Sequence, residues 1–134
     1  MKIFQTILFL LPLFLAGCAS DSGTSRPAPE APQILNLKVE PQTICVSTAA
    51  DVSFELIDPN NDPIGWTAGL STKIHGTLER TEGTDASGTQ MQIRFKAATS
   101  GRHRHTVTVT VSATDSSGLQ AAPAKFDIFV FNCF

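Results

Sequence analysis

From Gln33 onward, apolar side chains recur at every second position. Leu35, Leu37 and Val39 alternate with Asn36, Lys38 and Glu40, and Val52, Phe54 and Leu56 with Ser53 and Glu55. The pattern returns at Ile64, Trp66, Ala68 and Leu70, at Met91, Ile93, Phe95 and Ala97, and at Val107, Val109, Val111 and Ala113. It closes with Phe126, Ile128 and Val130. A strand turns successive side chains to opposite faces, so this period means strands buried on one face. Clusters of Gly, Pro, Asn, Asp and Ser at 58–63, 82–88, 99–102 and 115–118 read as turns between them. No stretch carries a helical period. Six or seven strands in roughly 100 residues predict an all-β chain folded as a two-sheet sandwich.

The first residues obey a different rule. One positive charge at Lys2 precedes an apolar stretch from Ile3 to Leu15, broken by Pro12. A spanning helix needs about 20 apolar residues, so this reads as an export signal. Its end, Leu15-Ala16-Gly17-Cys18, resembles the lipobox of bacterial lipoproteins. The resemblance implies diacylglycerol on the Cys18 sulfur, cleavage before Cys18 and acylation of the new amine. The plainer alternative is a secretory signal with an incidental cysteine. Two or three acyl chains, at about 0.8 kcal/mol per buried methylene, anchor a protein stably. Ala19 stands where an aspartate usually retains lipoproteins in the inner membrane, so the outer membrane of a diderm host is the expected address. Residues 19–32 hold three prolines and no apolar period, and read as a tether. The expected layout is therefore a signal peptide over 1–17, lipidated cysteine and tether over 18–32, and one domain over 33–134.

Loss of Lys2 with the leader leaves nine basic against twelve acidic residues, a net charge of about −3. Nucleic-acid binding would need a clustered basic excess, so none is expected. Of three cysteines, Cys18 is assigned to lipid. Cys45 and Cys133 would meet an oxidising compartment, where disulfides persist. One bridge between them is the simplest use; two free thiols or a bond to another chain are the alternatives.

The stretch from Phe54 through Asp58-Pro59-Asn60-Asn61-Asp62-Pro63 to Ile64 resembles the strand, Asp-Pro-x-x-Asp, strand signature of bacterial cadherin-like and PKD-like immunoglobulin-type domains. The run from Thr106 to Gly118 resembles their penultimate strand and turn, and Gly76-Thr77-Leu78 falls where many carry the same tripeptide. The resemblance implies an Ig-like Greek-key sandwich of about seven strands. It also implies a split first strand running parallel to the last, which would let Cys45 and Cys133 meet. The chain departs from the pattern at Asn60, where acidic residues are usual, and at Asn61, where glycine is. It also has no tyrosine, so no tyrosine corner.

Four sites are candidates. Asp58, Asn60, Asp62 and Asp115 would make a calcium site if their loops share one end of the sandwich, since calcium takes six to eight oxygens. Otherwise these side chains shape their own turns. His103 and His105, in Arg102-His103-Arg104-His105, share a strand face and suit a shared metal, or else sit in a solvated loop. Phe129, Phe131 and Cys133 make the second face of the last strand apolar. They form either a partner-binding stripe or a face covered by Ile44 and the chain around Cys45. Trp66 is expected in the core rather than on a ligand platform.

No Gly-x-Ser-x-Gly elbow or metalloprotease helix is present, and no thiol nucleophile remains once the cysteines are used. The chain is therefore expected not to be an enzyme. It is expected to be a membrane-anchored lipoprotein with a non-catalytic binding or structural role, an accessory to an envelope assembly. The alternative is a cell-surface adhesion or carbohydrate-binding module. The expected partners are a membrane through Cys18 and an envelope protein or glycan, with no cofactor beyond the calcium considered above.

Overall fold

A computed structural model describes residues 27–99 and 104–133. The leader, Cys18, the tether up to residue 26, and His103 lie outside the described residues.

The strands in chain order are β1 (Gln33–Glu40), β2 (Thr43–Cys45), β3 (Ala49–Ile57), β4 (Ile64–Leu70), β5 (Gly76–Leu78), β6 (Glu82–Asp85), β7 (Thr89–Ala97), β8 (His105–Asp115) and β9 (Ala124–Phe131). They form two sheets, one ordered β1-β3-β7-β5 and the other β2-β9-β8-β4-β6. This is the immunoglobulin-like sandwich that the alternation predicts. The inward residues of β3 and β7 meet those of β4, β8 and β9. Val52, Leu56, Ile64, Phe95, Val107, Val109, Val111 and Ile128 are all wholly buried. Side chains of this kind each contribute about 1.5–3 kcal/mol on burial. Phe54 meets Trp66 across the sheets edge-to-face, with centroids 5.5 Å apart.

Three details differ from the expected seven strands. The first is in β1, which does not keep one face. Its pairing with β3 shifts between Leu35 and Lys38, and Asn36 adopts a positive φ of 54°. Such a bulge turns the strand over. Ile34 and Leu37 pack on the core, while Leu35 is 40% exposed instead of sharing a face with Leu37 and Val39. The second is in 82–88, expected as a turn, whose first part is the edge strand β6, paired with Ile64 to Thr67. The third is the pair of three-residue strands β2 and β5, too short to show a period.

Strand β2 runs parallel to the end of β9, with Cys45 opposite Phe131. Cys45 and Cys133 form a disulfide, with Cα atoms 5.6 Å apart. The intramolecular bridge is therefore the pairing observed.

The topology gives the domain two distinct ends. At the entry end lie the start of β1, the 58–63 loop, the β6–β7 turn around Ser87, and the turn after Asp115. At the exit end lie the disulfide, the β4–β5 loop and the start of β8.

Candidate functional site

At the entry end, Ile64 pairs with Asp115, so the loops carrying Asp58 and Asp115 do meet. One oxygen of each carboxylate is spent locally. Asp58 Oδ1 accepts the amides of Asn60 at 2.8 Å and Asp62 at 3.0 Å. Asp115 Oδ1 accepts those of Ser117 and Leu119, both at 2.8 Å. Each aspartate thus closes its own turn, as Asp does where backbone donors would otherwise be stranded. Both are buried, and the second oxygen of each has no hydrogen-bond partner. Among the described residues no three His, Cys, Asp or Glu side chains are grouped to hold a metal ion. The four-residue calcium set of Asp58, Asn60, Asp62 and Asp115 is therefore not assembled as a ligand shell, although its loops converge.

Asn60 instead meets the N-terminal segment. Its Oδ1 accepts the Glu30 amide at 2.7 Å, and its Nδ2 donates to the Ala28 carbonyl at 3.3 Å. Pro32 is buried. A cavity of about 250 Å³ lies between Pro27, Ala28 and Pro29 on one side and Asn60, Asp62 and Ser117 on the other. Residues 27–32, expected to belong to the tether, are strapped to the body. An amide side chain satisfying both donor and acceptor of a chain 30 residues away leaves no periodic trace in the sequence.

At the exit end, Phe129 is 37% exposed and Phe131 is half-buried. Ile44 does not cover them, because it pairs with Val130 and both point into the core. The chain around Cys45 does flank them, with Thr43 opposite Phe129 and Cys45 opposite Phe131. The Arg104 guanidinium stands 4.8 Å over the Phe131 ring, a cation–π contact. His105 stacks on His75 from the β4–β5 loop, with ring centroids 3.7 Å apart. Face-to-face rings direct their in-plane lone pairs side by side rather than toward one ion, which does not suit the metal reading of His105. Only the fold brings in His75, 30 residues earlier.

Trp66 is core, as expected, and its indole N–H donates to Asp85 Oδ2 at 2.7 Å. Arg80 lies over the same ring at 4.9 Å and faces Asp85 at 3.7 Å. On the outer surface of the second sheet, a shallow trough of about 450 Å³ is lined by Gly65, Thr67, Glu82, Thr84, Ser112 and Thr114. The remaining ion pair of note is Glu79 with Lys96, at 2.7 Å. The Lys96 ammonium, hydrogen-bonded to Glu79, holds that carboxyl below its ordinary value.

No family model matches the chain, and no curated protein matches it. Solved structures do. A PKD domain of an M14-like peptidase from Thermoplasmatales archaeon SCGC AB-540-F20 superposes with a TM-score of 0.65 at 20% identity, covering 78% of this chain and all of that one. The PapD-like domain 7 of human CEP192 gives 0.56 at 10% identity, covering 97% of both chains. The YadV chaperone gives 0.56 at 11% identity over 75% of this chain, which spans about half (53%) of that protein. These likenesses establish the PKD-like, Ig-like sandwich. At such identities they speak to fold and not to activity.

Proposed function

We propose that this chain is a lipid-anchored envelope lipoprotein whose single Ig-like domain serves a non-catalytic binding or structural role, as an accessory to a larger envelope assembly. The lipobox resemblance at Leu15 to Cys18 supports the anchor, and Ala19 supports an outer-membrane address. The observation that carries the reading is the mounting of the domain. The chain is strapped on at the entry end through Asn60 and Pro32, while the opposite end is locked by the Cys45–Cys133 bridge and carries Phe129 and Phe131. A module built this way presents one rigid end away from its anchor. Phe129 and Phe131 form the apolar part of that end, and a partner surface is the use proposed for them.

Metabolic labelling with palmitate tests the anchor: Cys18→Ser should abolish label and release the protein from membranes. Crosslinking in native envelopes followed by capture tests the role. A specific envelope protein captured by the wild type and lost in Phe129→Ser supports it, provided the variant keeps its melting temperature. Capture unaffected by that change removes the aromatic patch from the reading.

The hydroxyl-lined trough over Gly65 favours a second reading, a carbohydrate-binding module, because it offers several side-chain donors and acceptors. Silence across a glycan array would dismiss it.

A further inference from the structure

The strap over residues 27–32 is hydrogen-bonded to the body through one side chain. Asn60 donates to the Ala28 carbonyl and accepts the Glu30 amide. Among the described residues no backbone–backbone hydrogen bond joins 27–32 to the body, and ladder pairing starts only at Gln33, opposite Ile57. Residues 27–31 are exposed, and Pro32 is buried. The cavity of about 250 Å³ under Pro27, Ala28 and Pro29 leaves these residues without close packing on that side. Three prolines in six residues limit the conformations the strap gains on release, so few contacts suffice to hold it.

Tension would load these contacts and the sandwich very differently. The chain arrives from residue 26, so a pull on it meets the Ala28 bond first, then the Glu30 bond, then Pro32. Each is loaded alone, and the strap peels. Past Gln33 the same pull runs along the axis of β1. There it is shared by the ladder with β3, which is paired at six positions from Gln33 to Glu40. The far end of the body is closed by the Cys45–Cys133 bridge.

We propose that residues 27–32 are a releasable latch. Tension between the two ends of the domain frees them from Asn60 and lengthens the link to the anchor by up to about 20 Å, six residues of extended chain. The sandwich stays folded meanwhile. Force does different work on the docked and released states, which is what lets it shift their balance. A domain engaged at its exit end could then keep hold while its anchor moves.

This proposal rests on the reading of the domain as anchored at one end and engaged at the other, and it fails separately from that reading. The test needs neither lipid nor partner. The full-length chain in detergent carries DNA handles on Ser22→Cys and Ile74→Cys, in a Cys18→Ser background with the Cys45–Cys133 bridge intact, and is held at constant force in optical tweezers. The expected result is reversible hopping over no more than about 20 Å, at forces below those that unfold the body. Asn60→Ala should lower the docked-to-released ratio at a given force about tenfold, the scale of two exposed hydrogen bonds. Glu30→Pro, which deletes the donor on the strap itself, should lower it about threefold. Both variants should leave the unfolding force of the body unchanged. A first transition that is already the unfolding of the body, or hopping unaltered in Asn60→Ala, would overturn the proposal. Absence of palmitate label on Cys18 would remove the anchor and leave this measurement as it is.

Discussion

Gly83 in β6 is small for a reason visible only in the folded chain. A Cβ there would run into the guanidinium of Arg80 and come within 3.0 Å of the Trp66 indole nitrogen. The glycine lets Arg80 reach across β6, cover Trp66 and face Asp85. Because the displaced group is the tip of a flexible side chain, Gly83→Ala should cost only about 1 kcal/mol, the worth of an exposed cation–π contact. Trp66 fluorescence should shift as the ring loses its cover. Gly76→Ala should cost more, about 1–3 kcal/mol. There the new methyl would meet the Phe95 ring and the Lys96 carbonyl, at 2.7 Å from that oxygen, and neither can move aside. Equal midpoints for the two variants in urea would contradict this account. Gly65→Ala is the control, since its Cβ would make an ordinary 3.6 Å contact with the Thr114 carbonyl. The Glu79–Lys96 pair gives a pH-dependent counterpart. The folded pKa of Glu79 is lowered from 4.5, chiefly by its hydrogen bond to Lys96. Its small stabilisation is therefore full above 4.5 and fades as pH falls below that value. A double-mutant cycle of Glu79→Gln and Lys96→Met should show coupling at pH 7 that has vanished in strong acid. Coupling that persists there would mean the interaction is not ionic.

Strands were legible in the sequence where a face is buried along its whole length. β3, β7 and β8 alternate without a break, and each inward position named from the period is buried or nearly so. β1 was legible as a strand but not in its facing, because Asn36 takes up the bulge and a positive φ that alternation does not encode. β2, β5 and β6 owe their existence to neighbours: three or four residues, some polar, held by a ladder on one side. β2 is also where the disulfide acts. Cys45 ends a three-residue strand whose only strand partner among the described residues is β9, so the bridge reinforces the short ladder that joins β2 to the end of β9. The chain-entropy model assigns a bridge closing 88 residues about 4–5 kcal/mol, an upper figure for the whole fold. Reduction should not loosen all strands alike. The Val46 and Phe129 amides, which donate to Phe131 and Gln42 across the β2–β9 seam, should lose hydrogen-exchange protection first. Amides of Val107 and Val109 in the middle of β8 should keep theirs. Uniform loss of protection would show instead that the seam and the core open as one unit.

At the scale of the whole molecule, the strap would set how far and which way the domain stands from a bilayer if Cys18 carries lipid. The sequence offers fourteen residues between Cys18 and Gln33, an extended reach of about 50 Å. Docking of residues 27–32 leaves only the eight from 19 to 26, or at most about 28 Å. The strap escaped sequence reading because proline-rich composition reports on self-structure, whereas Asn60 supplies the partner from the other side of the loop. The domain itself is long: β8 alone, at roughly 3.3 Å per residue, rises about 36 Å from one end to the other. If lipid sits on Cys18, the entry end should hang next to the headgroups and the exit end should project outward. Fluorescent side chains placed at Ser116, exposed at the entry end, and at Ile74, 75% exposed at the exit end, would report this in vesicles with nitroxide-labelled headgroups. Quenching should be strong at 116 and weak at 74. Asn60→Ala should leave the melting temperature nearly unchanged, remove exchange protection from the Glu30 amide, and narrow the difference between the two labels as the freed segment lengthens the tether. Equal quenching at both sites in the unmodified chain would mean that the domain lies flat. The end-on mounting, and with it the reason for an outward-facing aromatic and cationic end, would then be wrong.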